Sequence, residues 1–469
     1  MLFSSVIFLF YFLPILFLFY FSLPGIKLKN FILLVFSFIF FAWGGLFFTL
    51  ILIASILFNY LMGLGLESER KKFFLTIGVI GNLLVLLSFK YADFIIENIN
   101  SIFGAGIALT GIALPIGISF YTFHSISYLI DVYSGKSPAQ RNAFNMALYI
   151  VLFTQLIAGP IIRYNTFAPQ LFGRTINYEK FWSGIERFII GLGKKVLIAN
   201  TVARVADEAF AQSINNMDHL ICWLGALCYT MQIYFDFSGY SDMAIGLSRL
   251  FGFEFPENFN SPYTAKSIKD FWRRWHISLS SFFRDYLYIP LGGNKKGKER
   301  TYFNLILVFF LTGLWHGANY TFIVWGLLHG AFLLLERTTW GKTLEKLPGF
   351  LQRSYTFIIV LLIWVLFRAP DLNYSLHFWK GLFDFSEQSN MALISSFFST
   401  DFTVALILAI LISFNAHLSL KNWLIKIVNS KIVLNSAYVL QAVFLLVILF
   451  FSSVYLMSGT YNPFIYYQF

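Results

Sequence analysis

Residues 46–66 read LFFTLILIASILFNYLMGLGL and residues 73–89 read FFLTIGVIGNLLVLLSF; neither run holds a charged side chain, and Arg70, Lys71 and Lys72 stand between them. At ~1.5 Å of rise per residue an apolar helix of about 20 residues crosses the roughly 30 Å hydrocarbon layer. A turn rich in Arg and Lys between two such helices marks the side on which the chain returns. The pattern predicts an all-α, polytopic integral membrane protein.

Working outward, apolar runs near 3–22, 31–45, 46–66, 73–89, 108–130, 188–203, 219–248, 302–316, 320–336, 353–369, 402–417 and 434–457 predict twelve transmembrane helices. Lys27 and Lys29, Arg70 to Lys72, Lys136 and Arg141, Lys295 to Arg300, Arg337 to Lys346, and Lys421 to Lys431 form one set of basic loops. The alternate loops carry Asp93 and Glu97, Asp207 to Asp218, and Asp371 to Asp401. By the positive-inside bias the first set is cytoplasmic, which places both termini outside. That assignment closes only if 143–162, interrupted at Gly159-Pro160, and 271–290 enter and return without crossing. Irregular backbone at that depth survives only against protein or a wet cavity. Residues 1–469 are expected to form a single membrane-embedded domain, with the terminal helix and tail at 434–469.

Composition excludes other classes. Of the 469 residues 58% are hydrophobic, 20% aromatic and 12% charged, with a mean hydropathy of +0.70, whereas soluble domains are about 25% charged. The net charge of +11 sits in short clusters between apolar runs, which reads as topology and not as a nucleic-acid surface. Cys222 and Cys228, six apart in an apolar run, point to different helix faces and predict no disulfide. The first 22 residues lack a basic start and a small-residue cleavage site, so a retained helix is expected there.

Three polar concentrations interrupt the apolar pattern, and ionisable groups at membrane depth are functional candidates. The first, Tyr234-Phe235-Asp236-Phe237-Ser238-Gly239-Tyr240-Ser241-Asp242, sets two carboxylates in a helix; structural hydrogen bonding and a catalytic role are both open. The second runs from Phe271 through Trp272-Arg273-Arg274-Trp275-His276 to Asn294. Arginines beside tryptophans also serve as interfacial anchors, but His276 leads into a serine-rich re-entrant stretch. The third is Leu314-Trp315-His316-Gly317-Ala318-Asn319-Tyr320. A helix rising from the basic loop at Arg300 carries His316 roughly 20 Å inward, where Gly317 leaves room for a close neighbour. His124, His219, His329, His377 and His417 are expected to be structural. Gly292 to Lys298 imitates a phosphate-binding loop, but Glu299 stands where a hydroxyl is needed and no strand precedes it. A basic loop gripping coenzyme A phosphates and a merely solvated topology signal are both compatible with Lys295, Lys296 and Lys298. No His, Cys, Asp or Glu spacing suggests a metal site.

At these motifs the chain resembles the membrane-bound O-acyltransferase family, in particular the bacterial branch of alginate and peptidoglycan O-acetyltransferases and the teichoic-acid D-alanyl transferase. The resemblance runs from Leu2-Phe3-Ser4-Ser5 through Phe271–Asn294 to Trp315-His316-Gly317. It implies a helical ring around a central tunnel, His316 as catalytic histidine, and His276 as its companion. It implies acetyl-CoA as cytoplasmic acyl donor, with Arg273, Arg274, Lys295, Lys296 and Lys298 as candidate contacts, and no permanently bound cofactor. An envelope polysaccharide is implied as acceptor, in a bacterial inner membrane. The Phe-, Ile-, Lys- and Asn-rich usage favours peptidoglycan, with an alginate-like exopolysaccharide next. A separate periplasmic transferase of the esterase (SGNH-like) fold is expected to finish the reaction. At the C-terminus, Phe464-x-Tyr466-x-x-Phe469 is similar to the signature of the small partner used in teichoic-acid D-alanylation, which implies Tyr466 as an acyl carrier. The alternative from another class is a transporter or flippase, since broken helices and intramembrane charge also mark substrate pathways.

Overall fold

The computed structural model describes residues 1–214, 217–386, 389–415, 431–459, 461–463 and 465. Among them every regular element is helical. The chain packs as two compact units, one of residues 1–188 and 244–256, the other of 189–243 and 257–469.

In the first unit the opening hairpin forms as expected, with helices Leu46–Gly65 and Lys71–Lys90. Along Leu46–Gly65 the buried positions are Thr49, Leu52, Ile56, Asn59 and Gly63, the three-and-four spacing of one helical face. The opposite face is apolar too: Leu46 is 76% and Leu50 65% exposed. A helix with leucines on its outward face and an asparagine on its inward one is built for lipid. The inward polar groups satisfy each other, since Asn59 and Asn82 exchange amide hydrogen bonds of 3.1 and 2.7 Å.

Each of the twelve expected segments meets a helix, but only five helices among the described residues are long and apolar enough to cross a membrane. They are Leu46–Gly65, Lys71–Lys90, His219–Leu250, Gly349–Arg368 and Val439–Met457, with a sixth if the bent pair Met391–Phe397 and Thr400–Ser413 acts as one span. The expected start of one crossing at 108 needs correction. Residues 104–117 are not helical, and the helix there is Ile118–Tyr133. Glycines 104, 106, 111 and 117 all adopt positive φ, and the Asp93 carboxylate accepts the backbone N–H groups of Thr110 and Gly111 at 2.7 and 3.1 Å. A run with four left-handed glycines and a side-chain partner for its amides forms a loop despite its apolar composition. Residues 143–162 are broken, as Ala143–Val151 and Phe153–Leu156 followed by irregular backbone.

In the second unit the helices Lys298–His316 and Tyr320–Leu335 form the closest pair. A Cβ on Gly313 would collide with the Phe322 carbonyl and one on Gly326 with the Phe309 carbonyl, so glycine is what lets these two backbones touch. Residues 271–290 are also broken. Helix Ile268–Arg274 ends, His276 turns the chain at a φ of 42°, and Ile277–Phe283 passes into a π-helical turn, Arg284–Tyr288.

Candidate active site

His316 is the last helical residue of Lys298–His316, and Asn319 starts the next helix by accepting the Thr321 N–H at 3.0 Å. The same Asn319 amide donates to the Pro370 carbonyl at 2.8 Å, which ties the turn to the end of Gly349–Arg368. The His316 ring is 5% exposed and lies 4.8 Å from Trp315, 4.9 Å from Trp325 and 5.0 Å from Phe367, edge to face with each. The space that Gly317 leaves is filled by the Phe322 ring. The close neighbour at Gly317 is therefore an aromatic side chain.

His276 shares this wall, its ring 6.2 Å from Trp315. It sits at the break between two short helices in a left-handed conformation that non-glycine residues seldom adopt. Asn258 explains the turn. Its backbone carbonyl accepts the Ile277 N–H at 2.9 Å, and its side-chain oxygen accepts the Ser278 N–H at 3.2 Å and the Ser278 hydroxyl at 2.9 Å. Because that atom accepts from a backbone amide it is the carbonyl oxygen, so its 3.1 Å contact with His276 Nδ1 makes Nδ1 the donor. Nε2 then carries the lone pair, and among the described residues it has no hydrogen-bond partner. The protein thereby fixes one tautomer of a buried histidine, which is the requirement for a positioned base or acceptor.

A third histidine joins them. His329 stands 4.9 Å from Trp325, the ring that also borders His316, and accepts the Trp272 indole N–H at 3.3 Å. His329 is bonded to Trp272, 57 positions away, and Asn258 to His276, 18 positions away; no local spacing signals either pairing.

A cavity of about 1120 Å³ opens near the helix that carries His316. Lys266, Lys269, Arg273, Arg284 and Arg337 line it together with Asp270, Glu336 and Glu345, as do the apolar Leu305, Val308 and Phe309 and also Thr312, which lies one helical turn before His316. Of the candidate donor contacts, Arg273 lines this cavity. Arg274 is held by Asp270 at 3.0 Å, while Lys295, Lys296 and Lys298 are exposed on the turn before Lys298–His316 and are not among its walls.

The two carboxylates of the first polar concentration are ion-paired. Lys194 Nζ meets Asp242 Oδ2 at 2.7 Å and Lys195 Nζ meets Asp236 Oδ1 at 2.8 Å. Both lysines lie on a π-helical turn, Lys194–Ala199, of the kind that recurs at functional sites. Sequence reading treated 188–203 as a plain apolar run, although two adjacent lysines inside it were the available signal. Cys222 and Cys228 are buried free thiols. No group of three metal-ligating side chains occurs among the described residues. Tyr466 lies outside the described residues, as do Phe464 and Phe469.

The sequence model of the membrane-bound O-acyltransferase family matches residues 137–379, the span that holds Asn258, His276, His316 and the cavity. The chain belongs to that family. It is 47% identical over 394 residues to the protein of Pseudomonas aeruginosa named probable alginate O-acetylase AlgI, covering 82% of this chain and 75% of that one. It is 39% identical over 421 residues to the peptidoglycan O-acetyltransferase of Helicobacter pylori, covering 81% and 80%. With the teichoic acid D-alanyltransferase of Bacillus subtilis it shares 31% over 264 residues, covering 53% and 65%. The chain is thus a multi-pass membrane acyltransferase, and the transporter alternative has nothing left to support it.

Proposed function

We propose that this membrane O-acyltransferase moves acetyl groups from cytoplasmic acetyl-CoA across the bilayer for O-acetylation of a cell-envelope polysaccharide. The observation that carries the reading is the cavity that reaches to within one turn of His316: its five lining cations, which outnumber its three carboxylates, suit the coenzyme A phosphates, and its apolar wall of Leu305, Val308 and Phe309 suits the pantetheine arm and its thioester. Arg337 in the cavity lining belongs to one of the basic loops that the positive-inside bias assigns to the cytoplasm.

A hydroxyl with a pKa near 10 or above is a poor nucleophile at neutral pH, and a neutral imidazole that takes its proton as attack begins is worth about 10² to 10⁴ in rate. His316 is that base, and His276, held in one tautomer by Asn258, orients the acceptor or stabilises the developing oxyanion. The first acceptor is the Tyr466 phenol. Its oxygen attacks the thioester carbonyl while His316 takes the phenolic proton; the tetrahedral oxyanion collapses, the C–S bond breaks, and the thiolate leaves as coenzyme A with that proton. The aryl ester formed has a leaving group of pKa near 10, so onward transfer to a serine is downhill. A periplasmic SGNH-like transferase supplies that serine and delivers acetyl to the polymer. The bonding of Pro463 and Ile465 to buried side chains favours this carrier role over an aromatic belt at the membrane surface.

The two acetyltransferase relatives act, by name, on alginate and on peptidoglycan. Deletion of the gene, followed by mass analysis of acetyl esters on purified peptidoglycan and on secreted polysaccharide, decides between them. Esters unchanged on both overturn the proposal. Intact-mass analysis after acetyl-CoA incubation tests the carrier: an acetyl adduct that vanishes in Tyr466→Phe and persists in Tyr467→Phe is expected.

A further inference from the structure

Residues 461–465 make four polar contacts in succession. The Tyr461 hydroxyl donates to Asp207, which Arg368 also holds at 2.8 Å. The Asn200 amide donates to the Asn462 side-chain oxygen at 3.0 Å. The last two contacts differ in kind. Lys195 Nζ donates to the carbonyl of Pro463, and the N–H of Ile465 donates to Asp236 Oδ2 at 2.9 Å. Lys195 and Asp236 are themselves paired, and each is 2% exposed. A buried ion pair survives only when its remaining hydrogen-bonding capacity is used. Here a stretch of main chain uses it on both sides: the ammonium takes a carbonyl and the carboxylate takes an amide two residues on.

We infer that the Lys195–Asp236 pair is a positioning clamp for the C-terminal segment. Its charges match a backbone carbonyl on one side and a backbone amide on the other, so it reads main chain and not side chain. Pro463 presents a carbonyl at a fixed φ with no N–H to misdirect. By gripping Pro463 and Ile465 the pair sets the point from which the next residue, Tyr466, is offered to the reaction, and in that respect the inference rests on the carrier reading above.

The test places a cysteine at position 465 of the full-length protein by Ile465→Cys, with Cys222 and Cys228 buried, and measures reaction with a water-soluble maleimide in detergent micelles. The residue is expected to be protected in the otherwise wild-type chain. Lys195→Met and Asp236→Leu are then made singly and together. Each single change strands a buried charge and lowers the amount of folded protein, while the double change removes both charges and restores it. A purely structural pair predicts that the double variant regains everything. The clamp predicts that it regains folding only, with labelling at least ten-fold faster and acetylation at least ten-fold lower. A separate variant, Ile465→Pro, deletes the N–H and leaves the ion pair untouched; it should release acetylation to the same low level, whereas Ile465→Val should behave as wild type. Protection that persists in the double variant, or wild-type acetylation by the double variant or by Ile465→Pro, overturns the clamp. Tyr466→Phe separates the two ideas. If it acetylates normally the carrier reading falls, and the clamp is still decided by the labelling.

Discussion

Two polar clusters in the second unit solve the same problem in opposite ways. Around His316, His276 and His329 the walls are the rings of Trp315, Trp325 and Phe367. Around Lys195 and Asp236 the charges are permanent and matched. A group that must gain and lose a proton in each turnover is set here among aromatic rings. A group that must grip a peptide is best kept charged and compensated. The contrast separates chemistry from holding.

The largest expected effect is at the uncharged cluster. His316→Ala should lower acetylation by at least 10² with membrane protein at wild-type level, measured as acetyl esters on envelope polysaccharide. Retention of a tenth of the activity removes His316 as the base. At the charged cluster the damage should be to stability: Lys195→Met leaves Asp236 buried and unpaired and should cost about 3–5 kcal/mol, read as thermal unfolding in detergent. Unchanged stability of Lys195→Met would erase the distinction drawn between the clusters. Asn258→Ala frees the tautomer of His276 and should reduce turnover about ten-fold, less than His276→Ala, with no change in the apparent affinity for acetyl-CoA. Arg273→Ala should raise KM for acetyl-CoA by about 1 kcal/mol of lost charge-assisted binding, several-fold, with kcat intact. The smallest effect is expected from Lys295→Ala, because that side chain stands outside the cavity; an effect matching that of Arg273→Ala would move the donor's phosphates onto the turn.

Much of this was legible in the sequence because hydropathy is read along one dimension. The run 46–66 can only be a helix in lipid, and His316 at the end of an apolar helix could be placed at depth by counting residues. The failures share a cause. Residues 108–117 are apolar enough for a helix, yet Gly111 and Gly117 at positive φ and the Asp93 carboxylate decide otherwise. Asn258 orders His276 from 18 positions away, and Trp325 joins His316 to His329 across a turn. Such partners have no local period. Lys194 and Lys195 were within reach, since lysines inside an apolar run mark function by the same criterion that marked His316.

Purified protein incubated with acetyl-CoA and the periplasmic partner's serine domain, with free coenzyme A thiol followed over time, tests the central claim most directly. The account predicts steady thiol release by the wild-type protein and at least a hundred-fold less by His316→Ala at equal folded protein. Equal thiol release by the two, or none from the wild type, would contradict it.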